Sequence, residues 1–283
     1  MKIKVFFELI RLPQWIKNTF VFAPLIFAKK FLEFDAVQQE FLAFFAFCIA
    51  SSASYILNDL KDLESDRRHS VKRLTRPLAS GAITPMEAKI ILIFFYFILS
   101  IFFLFSSTQP FMIPILGYLI LNILYTYKLK HVPVLDIFCI AAGFVLRVFS
   151  GGIAICVPIS SWMLITTLCL ALFLASIKRL QEFRTQGKRT RKALEGYTLK
   201  LLEIYAQISS IGALIFYSLF VITSQPNLIL SIPFVIFGFF RYWYIIEIEG
   251  KGESPTEILL KDIPLDITIV LWILFCLWKL WPA

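Results

Sequence analysis

The chain has 283 residues, of which 59% are hydrophobic and 30 are phenylalanine, and its net charge is +9. Ordinary soluble domains are roughly 45–50% apolar, and the mean hydropathy here is +0.78, so the composition excludes a soluble globular protein. Within lipid, only helices and closed barrels satisfy the backbone hydrogen bonds. The long apolar segments predict helices, and the predicted fold class is therefore an all-α polytopic membrane protein.

Nine apolar segments are candidates to cross the bilayer, where a spanning helix needs about 20 residues. The first is the weakest, since it is short and contains Lys17 and Asn18, which are compatible with an interfacial start. No glycine-rich or serine-rich linker divides the chain, which predicts a single domain over residues 1–283. In chain order, the predicted spans are Trp15–Ala28, Val37–Leu57, Ala88–Ser106, Pro110–Tyr127, Val134–Ile153, Ile159–Ile177, Leu199–Thr223, Leu228–Ile246 and Pro264–Leu280.

The distribution of positive charge predicts the orientation in the membrane. Most of the 28 Lys and Arg residues fall on one side of the predicted spans, and the positive-inside rule places that side in the cytoplasm. We therefore expect a multi-pass protein of the cell inner (plasma) membrane with a cytoplasmic N-terminus. The same rule explains the net charge without a nucleic acid as partner. The longest polar loops, all predicted to be cytoplasmic, are Lys61–Glu87, Arg179–Lys200 and Glu247–Asp262.

An acidic cluster follows the second predicted span, in the stretch NDLKDLESD. Asp59, Asp62 and Asp66 are spaced i, i+3 and i+7, which places them on one face of an α-helix, and Asn58 adds a neutral oxygen. Such oxygens suit Mg²⁺, which takes one or two protein carboxylates together with substrate phosphates. The pattern predicts a magnesium site that holds a diphosphate beside a lipid. The alternative is a solvated helix end whose acids pair with Arg67, Arg68 and Lys72.

Basic residues follow the acids in the stretch KRLTRPLASG. Arginine offers a planar fork for phosphate oxygens and lysine a compact charge. Lys72, Arg73 and Arg76 are therefore predicted to stabilise the phosphates that the metal holds. The alternative is that these charges serve only to keep the loop in the cytoplasm.

The combined pattern resembles a known family. NDLKDLESD fits NDxxDxxxD, the first aspartate-rich motif of the UbiA superfamily of intramembrane prenyltransferases. Over essentially the whole chain, further segments resemble one subgroup, the decaprenyl-phosphate phosphoribosyltransferases. These segments are RLPQWIKN, KRLTRPLASG, YTYKLKHVPVLD, GFVLRVFSGG, LFLASIKRLQE, RKALEGYT and ILLKD.

This resemblance implies a fold and an activity. The implied fold is a nine-helix transmembrane bundle with a central cavity open to the cytoplasm and the membrane. The implied reaction transfers 5-phosphoribosyl from phosphoribosyl pyrophosphate (PRPP) to a polyprenyl phosphate of the decaprenyl type, releases pyrophosphate, requires Mg²⁺ and supplies a cell-envelope glycan precursor. Homo-oligomers formed by helix packing are compatible with such a bundle.

One departure from the wider superfamily concerns the second acidic motif, DxxxD, which is reduced here to Asp136-Ile-Phe-Cys-Ile140. The loss of one metal-binding acid fits a site for a diphosphate other than that of the aromatic prenyltransferases. Contacts from cations would then replace part of the second metal cluster. Lys130 and Arg147 are the candidates, and Arg147 shares a helix face with Asp136. An intramembrane arginine is usually functional or paired. The acidic PRPP loop of soluble phosphoribosyltransferases is not visible.

The residues support a mechanism in which Asn58, Asp59, Asp62 and Asp66 hold the metal while Lys72 and Arg73 act on the leaving diphosphate. The lipid phosphate is already anionic, so no histidine or cysteine nucleophile is needed. Lys178 and Glu182 could instead pair at i, i+4, and the tyrosines could be interfacial aromatics. The predicted substrate-binding residues are Lys17, Asn58, Arg76, Tyr125, Tyr127, Lys130, Asp136, Arg147, Lys178 and Arg179.

Two other functions stay open. One is a UbiA-type prenyltransferase that joins a prenyl diphosphate to an aromatic acceptor, against which the missing second acid argues. The other is a non-catalytic lipid transporter, although transporters often carry ionisable groups at mid-membrane and most charges here lie at the cytoplasmic ends. Metal dependence separates the enzymes from the transporter, and the identity of the donor separates the two enzymes.

Overall fold

The computed structural model describes residues 3–68, 71–104, 110–187, 192–248, 258 and 261–281. The described residues form α-helices and 3-10 helices joined by turns, and none of them belongs to a β-strand. The all-α prediction is therefore confirmed. The end of the third predicted span and parts of all three loops that were predicted to be cytoplasmic lie outside the described residues.

In its described residues, the first half of the chain contains eight α-helices and two 3-10 helices, and the acidic cluster lies at the junction of the third and fourth α-helices. In order they are α1 (Ile3–Leu9), a 3-10 helix (Leu12–Phe22), α2 (Ala23–Phe27), α3 (Phe34–Lys61), α4 (Leu63–Arg68), α5 (Lys72–Thr75), α6 (Pro77–Ser80), α7 (Pro85–Leu104), α8 (Met112–Tyr127) and a 3-10 helix (Leu129–His131).

The second half is dominated by long apolar helices. In order they are α9 (Leu135–Ala154), α10 (Ser161–Gln186), α11 (Lys192–Glu195), α12 (Leu199–Ser224), a 3-10 helix (Pro226–Ser231), α13 (Ile232–Ile248) and α14 (Ile263–Lys279).

Six helical segments in the described part of the chain are long and apolar enough to cross a membrane. Two more apolar helices, α8 and α14, have 16 and 17 residues, somewhat short of the roughly 20 that a span usually needs. The first predicted span is not one α-helix, because Leu12–Phe22 is a 3-10 helix and Ala23–Phe27 a short α-helix. Pro13 and Pro24 lie at the starts of these two elements, where each lacks a backbone donor. The six segments are Phe34–Lys61, Pro85–Leu104, Leu135–Ala154, Ser161–Thr185, Leu199–Ser224 and Pro226–Ile248.

Helix α3 is central to the first half of the bundle. One of its faces consists of small residues that are fully buried, namely Ala43, Ala46, Ala50 and Ala53. Small residues let helices approach closely in a membrane, and α3 packs against α7, α8, α9 and the 3-10 helix Leu12–Phe22. By contrast, α7 exposes large apolar side chains, as expected of a surface that faces lipid; these are Ile90, Ile93, Phe94 and Phe97.

Gly151 lies where α9 meets the N-terminal 3-10 helix. A Cβ atom at this position would lie 2.0 Å from the carbonyl oxygen of Val21 and 2.8 Å from Oε1 of Glu40. Because the first neighbour is backbone, any other residue would push the two segments apart. This close contact holds the 3-10 helix, and with it Lys17 and Asn18, against α9.

We expect Gly151→Ala to lower the free energy of unfolding by about 3 kcal/mol, at the upper end of overpacking effects, and so to lower the thermal midpoint measured in detergent. Gly238→Ala is the matched control, since a Cβ at Gly238 would meet nothing within 4 Å. In a helix interior that change should be neutral or stabilise by about 0.5–1 kcal/mol. Equal midpoints for the two variants would contradict the prediction.

Candidate active site

The acidic cluster lies where α3 ends and α4 begins. Helix α3 carries Asn58 and Asp59 in its last turn, and α4 starts at Leu63. Asp62 lies between the two helices, and its backbone angles of φ −93° and ψ 6° are outside the helical conformation. The expected stripe on one continuous helix is therefore interrupted, and the polar oxygens fall into two pairs, each of which contacts a cation from elsewhere in the chain.

The first pair is Asp59 and Asp66, which both bind Arg76. The Nη1 atom of Arg76 lies 3.0 Å from Oδ1 of Asp59 and also donates to Oδ2 of Asp66. Lys72 Nζ lies 3.6 Å from Oδ1 of Asp66. Each of the two carboxylic residues is only 3% exposed. The structure thus brings together two predicted metal ligands and two predicted phosphate-binding cations.

Arg11 also belongs to this first pair, although no role was predicted for it. Its Nη2 atom donates to Oδ1 of Asp59 at 2.5 Å, and its guanidinium lies 4.7 Å from the centre of the Tyr55 ring. Burial alone would lower the pKa of the Arg11 guanidinium, but the Asp59 carboxylate outweighs burial and raises that pKa. Arg11 therefore stays charged. The one available signal was its place at the start of RLPQWIKN.

The second pair is Asn58 and Asp62, which share Lys130. Lys130 Nζ lies 2.6 and 2.7 Å from the two carboxylate oxygens of Asp62 and 3.3 Å from Oδ1 of Asn58. Lys130 is buried in the 3-10 helix Leu129–His131. The turn after α8 is therefore joined to the end of α3 by a charge-assisted contact.

Two predicted site residues near the acids, Arg73 and Tyr127, belong to neither pair. Arg73 is exposed on α5, and no hydrogen bond in the described cluster includes it. Tyr127 is half exposed, and its ring lies 5.2 Å from Nζ of Lys61. The geometry of Tyr127 is that of an aromatic side chain at the membrane interface.

The oxygen donors fit a divalent cation bound together with a substrate. Within the described residues, no three His, Cys, Asp or Glu side chains are grouped so that they could hold a metal ion on their own. Mg²⁺ usually keeps waters and substrate phosphates beside one or two protein carboxylates. Two pairs of hard oxygen donors, each of which attracts a cation, match that requirement.

A second buried cluster joins α9 to α10. Arg179 Nε lies 2.6 Å from Oδ2 of Asp136, and its Nη1 lies 2.6 Å from Oε2 of Glu182. Its Nη2 donates to the hydroxyl of Tyr125 at 3.2 Å. Arg179 is 1% exposed and Asp136 is fully buried. Lys178, the preceding residue, is half-buried.

The cation that meets Asp136 is therefore Arg179, and neither Lys130 nor Arg147 takes that place. Lys130 instead binds Asp62, and Arg147 lies 11 residues after Asp136 on the same helix, about 16 Å along its axis. Arg179 is in the C-terminal part of α10, beside the start of α9. This geometry pairs the single remaining acid with an arginine from another helix.

Tyr197 completes the second cluster and was not predicted. Its hydroxyl donates to Oδ1 of Asp136 at 2.7 Å and accepts from the backbone N–H of Val134 at 2.5 Å. Burial raises the pKa of the Tyr197 phenol, which keeps the proton that it donates. The segment RKALEGYT contained this residue but did not reveal its partner.

We expect Tyr197→Phe to lower the free energy of unfolding by about 1–3 kcal/mol, because it leaves a buried carboxylate oxygen and a backbone donor without their shared partner. The thermal midpoint in detergent measures the loss. Tyr244→Phe serves as the control, since Tyr244 is half exposed. A midpoint for Tyr197→Phe equal to that of the control would show that the hydroxyl contributes nothing.

Arg147 lies in a deeper part of the bundle. Its guanidinium donates to Oδ1 of Asn18 at 2.8 Å, to the carbonyl of Gly143 at 2.7 Å and to the hydroxyl of Tyr118 at 3.3 Å. Lys17, next to Asn18, is half-buried and lies within electrostatic range of Arg147 and Arg11. These two predicted substrate-binding residues are thus close to each other and distant from Asp136.

Known proteins share this sequence pattern. A family model described as the UbiA prenyltransferase family matches residues 20–256. The chain belongs to the UbiA prenyltransferase family. The resemblance of NDLKDLESD to the first UbiA motif is thereby confirmed, and the UbiA family together with the apolar helices indicates a multi-pass membrane protein.

Named relatives cover nearly all of the UbiA-family chain. The decaprenyl-phosphate phosphoribosyltransferase of Mycolicibacterium smegmatis is 33% identical over 93% of this chain and 88% of its own. That of Corynebacterium glutamicum is 32% identical over 95% of this chain and 84% of its own. A solved UbiA homologue from Archaeoglobus fulgidus, bound to DMAPP and Mg²⁺, has a TM-score of 0.74 at 21% identity and covers 97% of this chain and 98% of its own. The last comparison shows that the fold is that of UbiA.

Proposed function

We propose that this UbiA-family chain transfers the 5-phosphoribosyl group of PRPP to a polyprenyl phosphate of the decaprenyl type and releases pyrophosphate. The observation that carries the proposal is the similarity to two named decaprenyl-phosphate phosphoribosyltransferases over 93% and 95% of this chain. The site supports the same activity, because acids and cations occur together at the end of an apolar bundle. Such a site suits a soluble diphosphate and a lipid phosphate.

Mg²⁺ would be held by Asp59 and Asp66, with Asn58 and Asp62 as the second pair of oxygens. When bound, the metal neutralises charge on the diphosphate leaving group. The donor chemistry of both pairs supports this assignment, since hard oxygens are what Mg²⁺ prefers.

The protein's own cations would act on the phosphates. In the reaction, the bond between C1 of the ribose and the diphosphate oxygen breaks, and a bond forms between C1 and an oxygen of the lipid phosphate. Arg76, Lys130 and Lys72 already border the acids and would stabilise the charge that develops on the leaving diphosphate. Arg73 extends the same basic stretch. The lipid phosphate is anionic at neutral pH, so the site needs no general base.

The second cluster would shape the donor site. Arg179, Tyr125 and Lys178 lie at the cytoplasmic end of α10 and α8, where they could border a phosphate or the ribose. Arg179 is held by Asp136 and Glu182, which fixes its position. This arrangement of a single acid and an arginine suits a donor other than a prenyl diphosphate.

We extend the proposal to the arrangement in the membrane. Residues 1–283 would form one transferase domain of nine transmembrane helices in the plasma membrane, with a cytoplasmic N-terminus and a central cavity open to the cytoplasm and the lipid. The product would enter the synthesis of a cell-envelope glycan precursor.

The test is transfer of label in detergent. Purified protein is incubated with Mg²⁺, polyprenyl phosphates of several lengths and PRPP labelled in the ribose, and the organic phase is counted. We expect lipid-borne label with Mg²⁺, loss of that label to background with EDTA, and recovery when Mg²⁺ is added in excess.

A parallel arm offers prenyl diphosphates with aromatic acceptors. Product in that arm, with no label transferred from PRPP by protein shown to be folded, would overturn the proposal in favour of prenyl transfer. No product in either arm would also count against it, and would favour a transport function.

A further inference from the structure

Two neighbouring cations, the buried Arg147 and the half-buried Lys17, have no carboxylate partner among the described residues. By contrast, three other cations of the site contact acids: Arg76 contacts Asp59 and Asp66, Lys130 contacts Asp62, and Arg179 contacts Asp136. Arg147, only 4% exposed, makes three hydrogen bonds, all to neutral oxygens. Lys17 makes no ion pair or side-chain hydrogen bond with any residue in the described ranges.

Neutral contacts compensate only part of the buried charge. The Arg147 guanidinium lies 4.8–5.4 Å from the centres of the Tyr118, Phe144 and Phe47 rings. These ring contacts attract the guanidinium, but neither the rings nor the neutral oxygens carry a negative charge, and an arginine inside a membrane bundle is usually paired or functional. Lys17 adds a second positive charge nearby, so the pair needs an anion.

Glu40 does not supply that anion. It is fully buried beside α9, but its carboxylate lies against Gly151 and the carbonyl of Val21. Neither of its oxygens has a hydrogen-bond partner among the described residues, and it forms no ion pair with Arg147. The described residues therefore supply no acidic partner for Lys17 or Arg147.

The donors that remain suit a phosphate. Asn18, Gly143 and Tyr118 accept from three of the N–H groups of Arg147, and a guanidinium has five, so two are left for an anion. Lysine adds three donors on a flexible stem, and Lys17 is accessible because it is only half-buried. A forked donor beside a compact charge is the combination that binds phosphate oxygens.

We propose that Lys17 and Arg147 bind a phosphate monoester below the acidic cluster. The inference rests on the proposed function and deepens it, since both substrates carry such a group: the 5-phosphate of PRPP and the terminal phosphate of the lipid. Arg147 donates to Asn18, Gly143 and Tyr118 and to none of the acids that are proposed to hold the metal, so this phosphate would contact a different set of side chains from the diphosphate. If the bound group is the 5-phosphate of PRPP, the site holds the donor away from its reacting carbon; if it is the lipid phosphate, the site holds the nucleophile itself.

The test is a binding measurement without metal. Protein in detergent with EDTA is titrated with ribose 5-phosphate and, separately, with geranyl phosphate, and ribose and geraniol serve as probes without phosphate. Calorimetry gives the Kd. The variants are Lys17→Gln and Arg147→Gln, and Arg68→Gln, an exposed arginine of α4, is the matched control. Lys17→Gln breaks no described contact, so it stays informative even where Arg147→Gln fails to fold.

We expect at least one phosphorylated probe to bind, with its Kd raised about tenfold or more by Lys17→Gln and by Arg147→Gln and unchanged by Arg68→Gln. Weakened binding of ribose 5-phosphate assigns the site to the donor, and weakened binding of geranyl phosphate assigns it to the lipid. Absence of binding to the wild type, or a Kd that Lys17→Gln leaves unchanged, overturns the inference.

The result of this binding test can be separated from the result of the phosphoribosyl-transfer assay. If these probes bind through Lys17 and Arg147 while label never moves from PRPP to lipid, the anion site stands and the proposed function fails. If label moves and both variants keep the wild-type KM for each substrate, the function stands and the anion site fails.

Discussion

Asp59→Asn is expected to lower the rate of phosphoribosyl transfer by at least about 100-fold, the usual scale for removing one charge-stabilising group from a site. Asp59 is buried, and Arg11 and Arg76 both donate to its Oδ1 atom. The asparagine keeps the shape but removes the charge that a metal would need. The initial rate with labelled PRPP and saturating Mg²⁺ measures the effect. Glu64→Gln, an exposed acid in the same stretch, should stay close to the wild type.

A second substitution distinguishes a purely structural role of Asp59 from a role in metal binding. If Asp59 serves only to neutralise Arg11, then combining Asp59→Asn with Arg11→Gln removes both charges and should restore activity together with stability. A metal-binding role predicts that the double variant regains thermal stability and stays inactive. Recovery of the rate in the double variant would therefore contradict the role assigned to Asp59.

Asp136→Ala is expected to cause the largest loss of stability among single substitutions at the site, about 3–5 kcal/mol. The change leaves the buried guanidinium of Arg179 with Glu182 as its one described acidic partner, and it removes the acceptor of the Tyr197 hydroxyl. For a chain of this size, the thermal midpoint in detergent should fall by roughly 10 °C.

Two further variants serve as comparisons for Asp136→Ala. Asp136→Asn keeps an oxygen for Tyr197 and should fall between Asp136→Ala and the wild type. Asp35→Ala removes an exposed acid at the start of α3 and should change the free energy of unfolding by no more than about 1 kcal/mol. Equal midpoints for Asp136→Ala and Asp35→Ala would mean that the buried ion pair does not stabilise the fold.

Hydropathy located the long helices because each is a continuous apolar run, and the bounds of α9 and α12 lie within one residue of the predicted spans. The prediction of a single spanning helix for the first segment, Trp15–Ala28, was wrong. Leu12–Phe22 is a 3-10 helix whose position depends on contact with Gly151, and no local pattern reports a contact with a helix so distant in the chain.

The sequence predicted the acids of the candidate site, but it did not predict which distant cations would bind them. The spacing identified Asp59, Asp62 and Asp66, and the nearby Lys72 and Arg76 were predicted beside them and do contact them. The pairings of the site acids with more distant cations were not predicted. Arg11 is 48 residues from Asp59, Lys130 is 68 from Asp62, and Arg179 is 43 from Asp136. Periodicity relates residues a few positions apart, so pairings over such separations leave no mark in the sequence.

The bond between Asn18 and Arg147 joins residues 129 positions apart, and this separation constrains how the protein is made. During synthesis the N-terminal 3-10 helix emerges long before α9, whose Gly151 and Arg147 it packs against. Contacts so distant in sequence form slowly, because the loop between them must be closed first. The N-terminal segment can pack against α3 as soon as α3 is inserted, but it lacks its contacts with α9 while α7 and α8 are inserted. Arg11 can reach Asp59 of α3 early, whereas Asn18 and Lys17 meet Arg147 only after α9 is in place, so this deeper part of the site is completed late in folding.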